Sequence, residues 1–208
     1  METYRPPDDR KKPGLNWKGE TVLALLSSPA SPLADFFSKE LYIPELLIIT
    51  GTQGVGKTSW FINLIAKARG LGIKVAGLVS PPVYVNGVKI GIDLLNIASG
   101  ESRRLADLRT TETDQFRTCQ WHFDPATLLW GNRILSSLND CDLLILDELG
   151  PLEFKKGRGL QEGLALLDAR RFSLSCVVIR PSLLPLAMER WPWGQVVQVT
   201  SRQEAEQA

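Results

Sequence analysis

The sequence predicts an α/β fold, a mostly parallel sheet flanked by helices and carrying one antiparallel hairpin insertion, on three observations. Short apolar runs alternate with segments of helical periodicity, the first of these runs passes through a glycine-rich turn directly into a helix, and an Asn86-Gly87 pair separates two alternating stretches. A strand covered on both faces is apolar throughout, whereas a half-solvated hairpin alternates and needs a turn that tolerates positive φ.

Taken in order, Leu46 to Ile49 follows Pro44 and ends at a glycine-bounded turn, as a buried strand does. Thr58 to Arg69 sets Phe61, Leu64, Ile65 and Ala68 on one helical stripe, closed by Gly70 and Gly72. Ile73 to Ser80 is a second strand, and Val83 to Leu95 a hairpin turned at Asn86-Gly87. An edge strand falls near Ser102 to Leu108, and Gln120 to Asp124 is a short strand before a helix that Pro125 opens and that runs to about Leu138. Asp142 to Asp147 is again apolar, Leu160 to Arg170 helical, Leu174 to Ile179 a strand, Ser182 to Arg190 helical, and Val196 to Val199 a last strand. Such alternation implies parallel pairing through right-handed crossovers.

Ahead of this unit, residues 1–20 combine Pro6, Pro7 and Pro13 with mixed charges and read as a flexible arm. In residues 21–44, Leu33, Phe36, Phe37 and Leu41 recur at helical spacing after Ser31-Pro32, which reads as a helical extension that packs on the main domain or docks a protein partner. The main domain is placed at 45–208.

The 208 residues carry 24 Lys+Arg against 23 Asp+Glu. That balance removes the bulk electrostatic case for a nucleic-acid or membrane-surface protein, since either would require a local basic patch. Cys119, Cys141 and Cys176 are odd in number and widely spaced, without the pattern of a disulfide framework or a metal knuckle, and point to a reducing compartment. No run approaches the roughly 18 apolar residues of a membrane helix and the N-terminus has no apolar leader segment, so the sequence reads as cytoplasmic.

Gly51-Thr52-Gln53-Gly54-Val55-Gly56-Lys57-Thr58 fits the GxxxxGK(S/T) pattern in full, between an apolar strand and an amphipathic helix. Glycines let the backbone wrap so that amides from Gln53 to Thr58 face phosphate oxygens at a helix N-terminus. Lys57 is placed to reach the β and γ phosphates and Thr58 to offer its hydroxyl to Mg²⁺. Asp147 and Glu148 end an apolar strand at the sheet edge where ligands sit: the first suits the water shell of Mg²⁺, the second suits polarising a water for attack.

Other residues have two readings each. Gly150 to Gly159 is glycine-rich and basic, either a mobile flap whose Lys155, Lys156 and Arg158 neutralise phosphate or a solvated face. Glu153 has an open role. Arg180, past the end of its strand, is a phosphate-contacting cation or a surface ion-pair partner. His122 reads as a partly buried structural residue, and Trp191 and Trp193 as packing residues with base stacking as the alternative.

The phosphate loop, Gly91-Ile92-Asp93-Leu94, and above all Leu146-Asp147-Glu148-Leu149-Gly150-Pro151-Leu152-Glu153 resemble the thermophilic and cancer-related nucleoside-triphosphatase family, over roughly residues 45 to 203. The resemblance implies a RecA-like P-loop NTPase fold with an additional strand, and slow Mg²⁺-dependent hydrolysis of ATP, GTP and other nucleoside triphosphates. By matching position it makes Lys57 and Thr58 the phosphate and metal holders, Asp147 the metal support and Glu148 the catalytic base. This chain departs at Ser80-Pro81-Pro82, where the family has threonine and an acid, and at Thr200-Ser201-Arg202-Gln203, which stands for the segment facing the base. Two alternatives stay open: a P-loop kinase acting on a small acceptor, and a nucleotide-gated interaction module.

Overall fold

The computed structural model describes residues 46–108 and 121–200. The arm and helical extension read over 1–44, Cys119, and the end of the Thr200–Gln203 segment lie outside the described residues.

Nine strands form one sheet: β1 (Leu46–Thr50), β2 (Val75–Val79), β3 (Pro82–Val85), β4 (Val88–Asn96), β5 (Ser102–Leu108), β6 (Trp121–Phe123), β7 (Leu143–Leu146), β8 (Leu174–Val178) and β9 (Gln195–Gln198). The helices are α1 (Lys57–Gly70), α2 (Pro125–Ser136), α3 (Pro151–Lys156), α4 (Gln161–Ala169) and α5 (Leu184–Arg190). The sheet order is β6-β5-β4-β2-β7-β8-β1-β9, with β3 paired to β4. From β2 to β9 every pairing is parallel. β4 pairs antiparallel to β2, and β3, β5 and β6 continue antiparallel. The expected hairpin is therefore part of a four-stranded antiparallel wing. The strand after the phosphate loop's helix, β2, is not the loop strand's neighbour, because β7 and β8 lie between β2 and β1.

The central strands are buried throughout, and their side chains divide by the two-residue period of a strand. Leu47 and Ile49 join Leu143 and Ile145 against Trp60, Phe61, Leu64 and Ala68 of α1. Leu46 and Ile48 join Leu144 and Leu146 against Leu128 and Leu135 of α2, Leu164 and Leu167 of α4, and Trp191. One apolar run thus serves two cores, which is why it shows no alternation.

Local signals set the helix ends. Asp124 caps α2, its carboxylate accepting from the amides of Ala126 and Thr127, with Pro125 in the first turn. The helix stops at Ser136, short of Leu138. At the end of α1, Gly72 is left-handed and the Ile73 amide donates to the Ala68 carbonyl, so Ile73 belongs to the turn and β2 starts at Val75. The stretch 150–159 is not a glycine-rich loop throughout. Pro151–Lys156 is helical, with Leu152 and Glu153 buried while Lys155, Lys156 and Arg158 face solvent.

His122 is exposed on β6, opposite Asp107, rather than partly buried. Trp191 is fully buried, its ring edge-on to Phe154 and its Nε1 donating to Asp168, so it packs and does not stack on a base; Arg170 lies over Trp193. Cys141 and Cys176 are free and buried, and burial pushes both thiols up to about 12, which leaves them protonated at neutral pH.

Two stability outcomes follow from this packing. Gly77, in the middle of β2, has φ +119° and a Cβ there would sit 1.9 Å from the Ile145 carbonyl oxygen. Gly77→Ala is expected to lower unfolding free energy by about 3 kcal/mol in a urea titration, since both backbone strain and a clash with a neighbouring strand oppose it. Asp168 accepts from Arg190 at 3.0 and 2.6 Å and from Trp191 at 2.8 Å. Burial acts to raise its pKa, yet these donors hold the carboxyl below its ordinary value. Asp168→Asn is expected to cost about 1 kcal/mol, the partial exposure of the pair keeping it small. The wild-type contribution is complete above the unfolded carboxyl's ~3.9 and disappears as pH falls through the lower folded value, a difference that thermal melts at pH 7 and pH 3 would show.

Candidate active site

The loop from Gly51 to Gly56 joins β1 to α1 at the C-terminal edge of the sheet. Gly54 and Gly56 take φ +80° and +97°, a conformation that costs other residues energy, and Gly56 precedes the first helical residue, Lys57. Gly51 has a different reason to be glycine: a Cβ would lie 2.4 Å from the Val199 carbonyl oxygen, where the chain leaving β9 crosses the loop. The Val199 amide also donates to the Thr50 carbonyl at 2.8 Å, so this edge is anchored to the start of the loop.

Lys57 folds back over its own loop, Nζ donating to the carbonyls of Gly51 at 2.9 Å and Thr52 at 2.8 Å. Burial lowers its pKa, while Glu148 and Asp147 oppose that shift. Thr52, Gln53 and Gly54 are exposed, Val55 is buried and anchors the loop's centre, and Thr58 lies in the first turn of α1.

Asp147 immediately follows β7 and is almost fully buried. Burial pushes its carboxyl up to about 6, against the Thr58 side chain and the Ser80 amide, both of which donate to it. The Ser80 amide reaches Oδ2 at 3.1 Å, and the Ser80 hydroxyl donates to the Asp147 carbonyl at 3.2 Å. The serine at which this chain departs from its expected family pattern is thus a ligand of the buried acid.

Glu148 has φ +75°, one of three non-glycine residues in the left-handed region among those described. Its neighbours explain how the conformation persists: the Asp147 amide donates to the Leu78 carbonyl at 2.9 Å and the Leu149 amide to the Val178 carbonyl at 3.2 Å. The chain is pinned to β2 before Glu148 and to β8 after it, and the side chain is turned out at the sheet edge. Its carboxylate pairs with Arg180. Arg180 therefore fits the ion-pair reading, and its partner is the very carboxylate proposed to act.

Glu153 acquires a role that the sequence left open. It is buried, with one carboxylate oxygen accepting from the Gly150 amide at 2.7 Å and the other from the Leu160 amide at 2.8 Å. It clamps the segment after Glu148 to the start of α4, its bond to the Gly150 amide being the half of a capping box in which the third helical residue reaches back to the N-cap.

Lys89 of β4 was missed. Its Nζ sits 4.9 Å from the ring centroid of Trp121. Burial lowers its pKa, with Glu148 acting to raise it and Arg180 to lower it further. Its place as the second residue of a hairpin strand carries no signal in sequence; only the antiparallel wing brings it to the Glu148 edge.

The arrangement can hold a triphosphate by loop amides and cations while presenting an outward carboxylate. No group of three or more His, Cys, Asp or Glu side chains suited to a metal exists among the described residues. One hydroxyl, Thr58, and one buried carboxylate, Asp147, is the donor set that suits Mg²⁺, which keeps most of its waters and takes its remaining ligands from phosphate oxygens.

Comparison with known proteins agrees with this geometry. The NTPase family profile matches residues 46–204. The nucleoside-triphosphatase THEP1 of Caldivirga maquilingensis is 29% identical over 129 residues, 62% of this chain and 72% of that protein. The nucleoside-triphosphatase THEP1 of Saccharolobus solfataricus is 35% identical over 109 residues, 52% of this chain and 62% of that protein, so the match leaves over a third of it unspanned. Among solved structures, that of a human cancer-related nucleoside triphosphatase superimposes with TM-score 0.60 at 20% identity, covering 77% of this chain and 91% of that one. THEP1 from Aquifex aeolicus superimposes with TM-score 0.57 at 18% identity, covering 74% and 90%. No helix among the described residues is long and apolar enough to cross a membrane. With a profile spanning the whole of the sheet and the loop that carries Lys57 and Thr58, the chain belongs to the NTPase family.

Proposed function

We propose that the protein hydrolyses nucleoside triphosphates, ATP and GTP with broad base tolerance, to the diphosphate and inorganic phosphate in a Mg²⁺-dependent reaction. The observation that carries the reading is Glu148: a carboxylate held in a left-handed backbone conformation directly after a buried aspartate that is tied to the phosphate loop. Residues 45–208 are the catalytic unit in this reading.

Amides from Gln53 to Thr58 bind the β and γ phosphates, and Gly51 and Thr52 complete the turn that aims them. Lys57 exchanges its two loop carbonyls for phosphate oxygens, its ammonium placed where negative charge develops. Thr58 and Asp147 would hold Mg²⁺, which when bound neutralises charge on the β and γ phosphates. Glu148 accepts a proton from a water molecule as the water oxygen attacks the γ phosphorus, and the bond from that phosphorus to the β-phosphate oxygen breaks. Arg180 restrains Glu148 at rest; moving its guanidinium to a γ-phosphate oxygen frees the carboxylate and places a cation on the reacting group.

Phosphate release should be measured with ATP, GTP, CTP and UTP, with Mg²⁺ and with a chelator. Activity on several bases that vanishes on chelation is expected. Glu148→Gln should retain saturable binding of a fluorescent nucleotide analogue and lose hydrolysis by about 10²–10⁴-fold; an active variant would remove the assignment of the base. Lys57→Ala should weaken binding and turnover together, because the ammonium acts on ground state and transition state alike.

A further inference from the structure

The hairpin strand that carries Lys89 reaches past the body of the sheet. β2 pairs with β4 only at its own C-terminal end, Leu78 with Asn96 and Val79 with Leu95, so the residues of β4 before Leu95 run on beyond the edge that holds the phosphate loop, Asp147 and Glu148. Lys89 lies on this overhang and is half-buried.

Its direction is set by an irregularity in the pairing with β3. Gly91 is opposite Val83 and Lys89 is opposite Tyr84, so β4 holds an extra residue, Ile90, between two consecutive positions of its partner. Paired residues share a face of the sheet, and consecutive residues of a regular strand do not. Val83 and Tyr84 therefore put Gly91 and Lys89 on opposite faces although they are two apart, and Lys89 joins the face of Ile92 instead of that of Gly91 and Asp93. Ile92 lines a cavity of about 50 Å³ whose walls also include Trp121, Glu148 and Arg180, and the Lys89 ammonium lies over the Trp121 ring. The bulge turns toward the catalytic edge a lysine that regular pairing would aim away from it.

The cavity has room for a few waters. Along the edge the order is β1 with the phosphate loop, β8 leading to Arg180, β7 leading to Glu148, then β2 and the wing with Lys89. Lys57 meets a triphosphate from the loop, and Lys89 stands on the far side of Glu148, where Glu148, Arg180 and Asp147 all act on its charge. An aromatic face holds an ammonium less firmly than an anionic phosphate oxygen does, so the ring is a partner that a nucleotide can displace.

We propose that Lys89 is a further catalytic residue, its ammonium leaving the Trp121 ring to donate to an oxygen of the γ-phosphoryl group as the bond to the diphosphate breaks. The inference rests on the nucleotide reading above. It adds no proton transfer: Glu148 takes the proton of the attacking water, the electron pair of the breaking P–O bond leaves with the diphosphate, and Lys89 stays protonated while it offsets charge on the equatorial oxygens. A nucleoside diphosphate, which lacks that group, makes no contact with Lys89.

The test compares the full chain with Lys89→Met, which keeps an unbranched stem over Trp121 and removes the charge, and with Lys89→Arg, which keeps the charge. With Mg²⁺ and ATP, Lys89→Met is expected to lower kcat by about 10²–10³-fold, the loss seen when one charge-stabilising donor is removed, with KM changed by less than about threefold. Lys89→Arg should recover most of that loss. A fluorescent ADP analogue should bind all three proteins alike, whereas ADP with aluminium fluoride, which imitates the phosphoryl group in transit, should bind Lys89→Met more weakly by roughly the factor lost in kcat. Lys89→Gln repeats the removal of charge should the methionine variant fail to fold by circular dichroism.

Turnover of the uncharged variant at the wild-type rate overturns the proposal and leaves the hydrolytic reading intact. Equal weakening of ADP and of its aluminium fluoride complex also overturns it, since Lys89 would then serve binding or packing and not the reacting group. No ADP from the wild-type chain with Mg²⁺ and ATP overturns the nucleotide reading beneath it and this proposal with it.

Discussion

Burying a carboxylate costs free energy unless donors surround it, and Asp147 shows both the cost, in a pKa pushed up to about 6, and the donors that offset it. One is the Thr58 side chain at the head of α1, another the Ser80 amide at the end of β2. The loop strand and the strand bearing Asp147 are not neighbours, β8 lying between them, so this carboxylate ties α1 to β7 across a strand that belongs to neither. The position of the next residue follows. With Asp147 fixed inward and the chain bonded to β2 and β8 on either side, Glu148 is forced into a left-handed conformation and turned to the edge. The strain is local, of order 1–3 kcal/mol, and the surrounding hydrogen bonds hold it in place.

The charges at this edge form a small set. Lys57, Arg180 and Lys89 interact with Asp147 and Glu148, and the buried Glu153 interacts with Glu148. Three cations face three acids, two of the acids with raised pKa values, so the edge carries no large negative charge to repel a triphosphate and offers cations for it to engage. Each cation is also occupied at rest: Lys57 by loop carbonyls, Arg180 by Glu148, Lys89 by the face of Trp121. A nucleotide competes for these partners instead of entering a ready-made vacancy, and turnover then depends on an exchange of partners as well as on the bond broken.

The phosphate loop and the acid pair were legible because each is contiguous in sequence and needs particular residue types at fixed spacing. The central strands were legible as apolar runs. What stayed hidden is set by tertiary pairing. Pro151 to Lys156 reads as loop because Gly150, Gly157 and Gly159 surround it, yet it is helical, with Glu153 accepting from the amide before it and from the Leu160 amide that precedes α4. The strands of the antiparallel wing were legible one by one, the hairpin from its Asn86-Gly87 turn and β5 and β6 as short runs, but their pairing into one four-stranded wing was not, since a strand three residues long such as β6 carries no sign of its neighbours. Lys89 was invisible for the same reason: its function is a matter of where β4 lies, and order along a sheet is not order along a chain.

The wing is therefore more than a decoration on the nucleotide-binding sheet. Between Ile92 and Asp93 the pairing of β4 with β5 shifts register, and a bulge of this kind bends its strand and re-aims the side chains beside it. Strand β5 carries the extra residue, Leu105, and Arg104 beside it pairs with Asp93 across on β4 and with Asp107 on its own strand. Leu105 lines the small cavity beside Glu148 together with Ile92 and Phe123, and the same wing carries Lys89 to the Glu148 edge.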